Sequence, residues 1–137
     1  MVGVPSATFE SLDYLYLPAP DIEASVKFYT EGLGGELLWR VRDGSTWVAA
    51  IRLAEPGPPL LLANHLEPGH GLLIYRVKNL PATRRELIDR GWSAEGELFE
   101  IPQGPCLVLR DPGGQRLAVY QLLRPGMDQH FNGRFDT

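Results

Sequence analysis

The chain repeats one pattern in its two halves. The segment "YLYLPAPDIEAS" from Tyr14 and the segment "LLIYRVKNLPAT" from Leu72 each read as a short strand that runs into a capped helix. Asp21 and Asn79 occupy equivalent places 58 residues apart, and each side-chain oxygen can accept a hydrogen bond from a free N–H group of a first helical turn. The repeat therefore predicts two modules of the same architecture.

Helical periodicity follows both caps. The first helix is predicted by four apolar residues at helical spacing, Ile22, Val26, Tyr29 and Leu33. The second helix is predicted from Leu80 to Arg90, with three apolar residues on one face, Leu80, Leu87 and Ile88. Gly34-Gly35 and Gly91 are expected to end the two helices in the same manner.

Three strand-like runs follow each helix. In the first half they are "ELLWRVR", "TWVAAIRLA" and "LLLANHL", and in the second half they are "GELFEI", "CLVLR" and "RLAVYQLL". Each half thus reads as a strand, a helix and three strands. Because no linker is long enough to separate independent domains, the 137 residues are predicted to form one domain. Module one is placed at about 10–67, module two at about 70–123 and a tail at 124–137.

Composition narrows the function classes. The formal net charge of −4 argues against nucleic-acid and anionic-membrane partners, since both need a positive surface. No stretch approaches the roughly 18 apolar residues that a membrane span requires, and no signal peptide is visible, so the cytoplasm is expected. Cys106, the single cysteine, can form no internal disulfide and is expected to be a small core residue. No nucleophile elbow, P-loop or H-E-x-x-H motif is present.

Two motifs resemble the vicinal oxygen chelate superfamily, which includes glyoxalase I, extradiol dioxygenases and bleomycin-resistance proteins. "YLYLPAPDIEASVKFYTEGLGG" looks like the opening strand, Asp-capped helix and "FY…LG" ending of that family, and "LRDPGGQRLAVY" is similar to its closing hairpin. The resemblance spans roughly Leu12 to Leu123. It implies an α+β fold in which two βαβββ modules form a curved, open mixed sheet, with a small-molecule or metal site on the inner floor of a cup.

The resemblance also implies where metal ligands would stand. Metal-using relatives place them, typically His, Gln or Glu, on the first and last strands of each module. The first-strand positions fall here at Tyr14 and Leu72. The last-strand position of module two falls at Ala118, and that of module one falls within Leu60 to Ala63, with Leu62 expected. None of these is a usual metal ligand, so no cofactor is expected.

The cup is therefore predicted to be largely apolar and edged with aromatic side chains. Alternate residues of a strand share a face, so residues two positions away from the implied metal positions belong to the same floor. The predicted ligand-binding residues are Tyr14, Tyr16, Trp47, Leu62, Leu72, Ile74, Arg116, Ala118 and Tyr120. The competing interpretation is that these side chains fill a closed core.

Two histidines provide an alternative prediction, in which the protein binds a metal ion at a displaced site. In "NHLEPGH", His65 and His70 lie between a strand of module one and the first strand of module two, and with Glu100 or Glu67 they could bind a displaced divalent metal. The plainer interpretation is that both are solvated loop histidines.

Three functions are compatible with these residues. The first is a metal-independent protein that binds a small organic or aromatic ligand in the cup. The second is a metal-dependent lyase or dioxygenase of the family that uses displaced ligands such as His65 and His70. The third is a metal-free lyase or isomerase in which Tyr14 or Arg116 serves as an acid or electrostatic group.

A homodimer is also implied by the resemblance, because relatives commonly pair so that two chains complete each cup. The tail from Arg124 has no clean period of either kind. Its apolar residues Met127, Phe131 and Phe135 are candidates to pack on a neighbouring subunit.

Overall fold

In the part of the chain that the structure describes, eight strands and the two predicted helices follow one another in the order that the repeat predicts. The computed structural model describes residues 9–67, 69, 71–126 and 130–137. The elements of the first half are β1 (Ser11–Pro18), α1 (Ile22–Lys27), a π-helical turn (Phe28–Gly32), β2 (Glu36–Asp43), β3 (Thr46–Arg52) and β4 (Leu60–Ala63). Those of the second half are β5 (Leu72–Val77), α2 (Leu80–Asp89), β6 (Ser93–Ile101), β7 (Gly104–Arg110) and β8 (Arg116–Gln121). The predicted α+β class with two βαβββ modules is confirmed.

The contacts divide the chain into two compact units that differ from the modules at their ends. The module-one unit consists of Asp13–Leu73 and Gly126–Thr137, and the module-two unit consists of Met1–Leu12 and Ile74–Pro125. The C-terminal residues thus belong with the first half of the chain, although they follow the second half in sequence.

The module-one unit contains a mixed sheet with the strand order β2-β3-β4-β1. β2 pairs antiparallel with β3, β3 pairs antiparallel with β4, and β4 pairs parallel with β1. The parallel pair sets Tyr16 beside Leu61 and Leu17 beside Leu62. Because successive residues of a strand point to opposite faces, this register decides which side chains lie on the same side of the sheet.

One face of that sheet is covered by α1. The core between them contains residues that are nearly or wholly inaccessible to solvent: Ala19, Ile22, Val26, Ala49, Ile51, Leu60 and Leu62. Leu15 and Leu17 of β1 pack against it from the sheet side. The alternation of β1 therefore turns its odd-numbered residues toward α1 and its even-numbered residues away from it.

The module-two unit has the strand order β5-β8-β7-β6, with β6–β7 and β7–β8 antiparallel. Its α2 covers a second core made of Val77, Leu80, Leu87, Leu107, Leu109 and Val119. Tyr75 packs against that core and stacks on Phe9, with ring centroids 4.9 Å apart. Each unit thus has its own apolar core beneath its own helix.

Both predicted helix caps are confirmed. Asp21 Oδ1 accepts a hydrogen bond from the Ala24 N–H at 3.1 Å, and Asn79 Oδ1 accepts one from the Ala82 N–H at 3.0 Å. Gly34 and Gly91, which follow the two helical segments, have φ of 76° and 100°, values that glycine adopts without a steric cost. The sequence repeat therefore reflects two equivalent strand-to-helix junctions.

For both helices, the prediction of which residues form the buried face is wrong at the C-terminal end. The chain leaves the α-helix after Lys27 and forms a π-helical turn, which moves Leu33 out of the apolar stripe and leaves it 53% exposed. On α2, Ile88 is 42% exposed whereas Thr83 is buried, because the buried face runs through Leu80, Thr83 and Leu87. Spacing alone could not distinguish Thr83 from Ile88 as the residue that faces the sheet.

The described part of the tail packs on its own chain. Residues 133–136 lie along β2, with a parallel bridge between Arg40 and Phe135, and the Phe131 ring lies 5.2 Å from the Trp39 ring. Of the apolar residues predicted to pack on a neighbour, Met127 lies outside the described residues, Phe131 contacts Trp39, and Phe135 is 51% exposed.

Candidate functional site

In the module-one unit, the sheet has a face that α1 does not cover, here called the helix-free face of module one. It carries Tyr14 and Tyr16 of β1, and the strand register adds Leu61 and Ala63 of β4 and Ala50 of β3. These side chains are hydrocarbon or phenol. Tyr14, Ala50, Leu61 and Ala63 are each at most 7% exposed, whereas Tyr16 is half-buried. Of these residues Tyr16 is therefore the one that can offer a ligand an aromatic contact and a hydroxyl group, and none of them offers a charge.

Leu62 lies on the opposite side from the one predicted. It is 1% exposed in the core beneath α1, so Leu61 and Ala63 are the β4 residues that share a face with Tyr14 and Tyr16. A strand alternates with a period of two residues, so an error of one position moves a side chain to the other face. The sequence limited the last-strand position of module one to Leu60–Ala63. Only the pairing of β4 with β1 shows which of these residues share a face with Tyr14 and Tyr16.

Trp47 also lies on the α1 side of the sheet. It packs against the core under α1, and its ring lies 5.6 Å from the Arg40 guanidinium and 5.2 Å from that of Arg42. It lines a surface cavity of about 380 Å³, together with Pro20, Asp21, Ile22, Glu23, Arg40 and Asn64. Trp47 therefore lies on the opposite side of the sheet from Tyr14 and Tyr16, with which it was predicted to bind a ligand.

Tyr16 brings a histidine to the helix-free face of module one. Its hydroxyl lies 3.5 Å from Nε2 of His65, and the two rings meet edge-on with centroids 5.9 Å apart. Burial lowers the pKa of the His65 imidazole below its ordinary value of 6.5, so the ring is mainly neutral at pH 7. A neutral imidazole beside a phenol can orient a polar group of a ligand by donating or accepting a hydrogen bond.

The module-two unit has a corresponding helix-free face. Ile74 of β5 alternates with Tyr75, which packs toward α2, and on β8 Ala118 and Tyr120 alternate with the core residue Val119. The β7–β8 register places Val108 beside Ala118 and Cys106 beside Tyr120 on that face. Ile74, Ala118 and Tyr120 are each at most 5% exposed. These three residues therefore lie on one side of the module-two sheet, where their side chains are buried.

Arg116, at the start of β8, supplies charge to this face. Its Nε donates to Glu95 Oε2 at 2.8 Å, and Arg110 Nη2 lies 3.3 Å from the same oxygen. Partial burial alone would raise the pKa of the Glu95 carboxyl, but the hydrogen bonds and charges of Arg116 and Arg110 outweigh that effect and lower it. Two guanidinium groups thus share one carboxylate, which leaves a net positive charge at this end of the face.

Cys106 is buried, as the sequence predicted. Burial raises the pKa of its thiol to about 12, so the thiolate that would act as a nucleophile or metal ligand is scarce at neutral pH.

Residues 11–119 match the family model of the glyoxalase/bleomycin resistance protein/dioxygenase superfamily. The chain belongs to this superfamily. The match runs from the start of β1 into β8, and it includes the first motif and the second motif as far as Val119. No curated protein matches the sequence.

Solved structures of the superfamily share the fold at low sequence identity. Methylmalonyl-CoA epimerase from Mycobacterium tuberculosis is similar over 93% of this chain and 97% of its own, with a TM-score of 0.67 and 16% identity. A hypothetical protein from Bacillus halodurans C-125 is similar over 83% and 95%, with a TM-score of 0.67 and 16% identity. Methylmalonyl-CoA epimerase from Streptomyces coelicolor is similar over 85% and 99%, with a TM-score of 0.62 and 14% identity. At these identities the likeness supports the fold and no particular activity.

The side chains at the metal positions that the sequence resemblance implies do not fit a divalent cation. Tyr14, Leu72 and Ala118 stand at three of them, and the β1–β4 register gives Leu61 or Ala63 at the fourth. Hydrocarbon side chains have no donor atom, and a single phenol cannot complete a coordination shell. Among the described residues, no three His, Cys, Asp or Glu side chains lie close enough together to hold a metal ion.

The displaced metal site falls partly outside the described residues, because His70 is not among them. His65 contacts Tyr16, and Glu100 Oε2 accepts a hydrogen bond from Arg124 Nη2 at 2.6 Å. A metal would have to compete with Arg124 for the Glu100 carboxylate.

Two features near these faces were not predicted from the sequence. One is Trp39, which is 5% exposed on the helix-free face of module one because it pairs with Ala50 across β2 and β3. The other is Glu95, the partner of Arg116. A register shift in β2 between Leu37 and Trp39 reverses the alternation there, and no local sequence pattern indicates the face of Trp39.

No helix among the described residues is long and apolar enough to cross a membrane.

Proposed function

We propose that this member of the superfamily binds a small organic ligand with an aromatic part, and that it does so without a metal ion. The observation that carries the proposal is the set of side chains at the superfamily's metal positions, Tyr14, Leu72, Ala118 and Leu61 or Ala63, which are phenol and hydrocarbon. Such side chains stabilise a guest by apolar burial and aromatic contact rather than by coordination.

Each helix-free face, taken by itself, has polar groups that suit a guest with a polar substituent. The Tyr16 hydroxyl and the neutral His65 imidazole can orient a polar group in the module-one unit. In the module-two unit, Arg116 and Arg110 outnumber the acid that they share, which favours an anionic substituent. A few polar groups around an apolar lining are typical of small-molecule sites.

Elemental analysis tests the metal-independent part of this proposal. The full chain, purified without chelator, is expected to contain less than one-tenth of a divalent ion per chain, and dialysis against EDTA is expected to leave its melting temperature unchanged. A stoichiometric divalent ion that is lost in the His65→Ala/His70→Ala variant would overturn the proposal in favour of a metal-dependent lyase or dioxygenase.

Ligand binding can be tested with 8-anilinonaphthalene-1-sulfonate, an aromatic anion whose fluorescence rises in apolar sites. Tyr16→Leu is expected to weaken its binding about three- to tenfold, the effect of one aromatic contact. Tyr29→Leu is the matched control, because Tyr29 packs on the α1 side of the same unit. Equal effects of the two substitutions, with circular dichroism unchanged, would contradict a site on the helix-free face.

We also propose that the protein is a cytoplasmic homodimer. The support is the superfamily membership together with the sequence features given above.

A further inference from the structure

We propose that the outer edge of β2 is a peptide-binding site, and that residues 130–137 of the same chain occupy it. The Arg40 N–H donates to the Arg134 carbonyl at 2.8 Å, and the Asp136 N–H donates to the Arg40 carbonyl at 2.8 Å. The Gly133 N–H donates to the Leu38 carbonyl at 3.1 Å. The segment therefore adds to the sheet as a short parallel strand. This site is independent of the ligand-binding function proposed above.

An occupant is needed here because β2 is an edge strand of its unit. Its inner side pairs with β3 from Glu36 to Asp43, which leaves the outward N–H and C=O groups without a partner from the sheet. Unpaired edge groups form a template for any extended chain, and peptides that bind in this way gain affinity from main-chain hydrogen bonds. The C-terminal segment forms hydrogen bonds with these main-chain groups at Leu38, Arg40 and Arg42.

An aromatic anchor fixes the segment at its start. The Phe131 ring packs on the Trp39 ring with centroids 5.2 Å apart. The Arg134 guanidinium lies over the Phe131 ring, 6.0 Å from its centroid. Trp39 is 5% exposed. An aromatic residue at position 131 is thus one element that the site recognises.

A carboxylate fixes the segment at its other end. Asp136 Oδ2 accepts from the Arg42 N–H at 3.0 Å, at the point where a continued ladder would use a main-chain carbonyl. The Asp136 carbonyl accepts from Arg40 Nε at 3.1 Å. Arg134 donates to both carboxylate oxygens, at 3.0 and 2.9 Å, which holds the carboxylate in place.

Glycine is required between these two anchors. Gly133 has a φ of 80°, a conformation that other residues adopt only with strain, and it links Phe131 to the paired residues. The site therefore favours peptides with an aromatic residue, a glycine two positions later and an aspartate three positions after that. Phe135 is 51% exposed and its ring is not part of this pattern, so it provides a matched control for Phe131.

Fluorescence anisotropy with a labelled peptide of sequence HFNGRFDT, residues 130–137, tests this inference on the full chain. In wild type the chain's own segment is expected to keep the peptide out. In the Phe131→Ala/Asp136→Ala chain the edge is expected to be available, so the peptide should bind at least tenfold more tightly than it binds wild type. A peptide carrying the Phe135→Ala change should bind within about twofold of the unchanged peptide, whereas peptides carrying Phe131→Ala or Asp136→Ala should lose at least tenfold.

Amide hydrogen exchange provides a second readout that needs no peptide. The N–H groups of Arg40 and Arg42 are expected to be protected in wild type and in the Phe135→Ala chain, and to exchange at least tenfold faster in the Phe131→Ala chain. Equal exchange in all three chains, or a peptide that binds the Phe131→Ala/Asp136→Ala chain no more tightly than wild type, would overturn the proposal. Protection in wild type that disappears on dilution would show that the segment comes from a second copy, and would overturn its assignment to the same chain.

Discussion

Single residues of this protein acquire their roles from strand register. Leu61 and Leu62 are adjacent and chemically identical, yet Leu62 packs under α1 while Leu61 shares the opposite face with Tyr16. Glu95 is a further example. It precedes a register shift in β6, and its position on the helix-free face of module two brings its carboxylate to Arg116 and Arg110.

The Glu95 ion pairs predict a pH-dependent contribution to stability. Because the two arginines lower the pKa of the Glu95 carboxyl from 4.5, their stabilising effect is present above that pH and is lost as the pH falls below it. Glu95→Gln should lower the free energy of unfolding by about 0.5–1 kcal/mol at pH 7, a small value because the pairs are partly exposed.

Urea unfolding of wild type and Glu95→Gln at several pH values measures this effect. The difference between the two proteins should shrink as the solution is acidified. Glu97→Gln, an exposed acid on the same strand, is the control and should match wild type at every pH. A Glu95→Gln effect of constant size down to pH 3 would contradict the assignment to ion pairing.

At the scale of elements, the two strand-to-helix junctions are similar, but the second has one more hydrogen bond than the first. Asp21 and Asn79 each cap a helix through a side-chain oxygen. The second junction has an additional contact, in which the Leu80 N–H donates to Oε1 of Gln121 at 2.8 Å. Gln121 ends β8, so the start of α2 is tied to the last strand of its unit.

Asn79→Ala is expected to lower the free energy of unfolding by about 1 kcal/mol, because the Ala82 N–H loses its partner while the Leu80 N–H keeps Gln121. Asn79→Asp should stay close to wild type, since aspartate caps equally well. Chemical denaturation measures both, with Lys78→Ala as an exposed neighbouring control. A loss as large in Lys78→Ala as in Asn79→Ala would assign the effect to local disruption rather than to the cap.

At the scale of the whole molecule, the C-terminal residues belong with module one, so the order of the chain does not match its division into compact units. Residues 133–136 pair with β2 of their own chain. Phe131 thus packs within its own chain, whereas Phe135 is 51% exposed and stays a predicted contact for a neighbouring subunit.

Sedimentation equilibrium is expected to give about twice the chain mass of 15.2 kDa for wild type. Phe131→Ala should give the same mass, because the Phe131 ring packs on Trp39 of the same chain. A monomeric Phe131→Ala protein alongside a dimeric wild type would show that the tail contributes to the interface between subunits. A monomeric wild type would contradict the predicted homodimer.

The sequence by itself determined the two-module organisation, both helix caps, the order of the helices and strands along the chain, and the superfamily. These depend on local signals: a cap residue lies within three residues of the N–H group that it binds, and turn residues mark where strands end. The apolar character at the implied metal positions could also be read directly, because it needs only residue types.

The tertiary structure alone decided which face Leu62, Trp47 and Trp39 occupy and where the tail lies. The strand faces depend on pairing between β1 and β4 and on a register shift in β2, which have no local signal in the sequence. The tail binds β2 through hydrogen bonds between residues more than 90 positions apart, such as that from Arg42 to Asp136. Contacts of this kind form only when the folded sheet presents an edge, so no periodicity within the tail could reveal them.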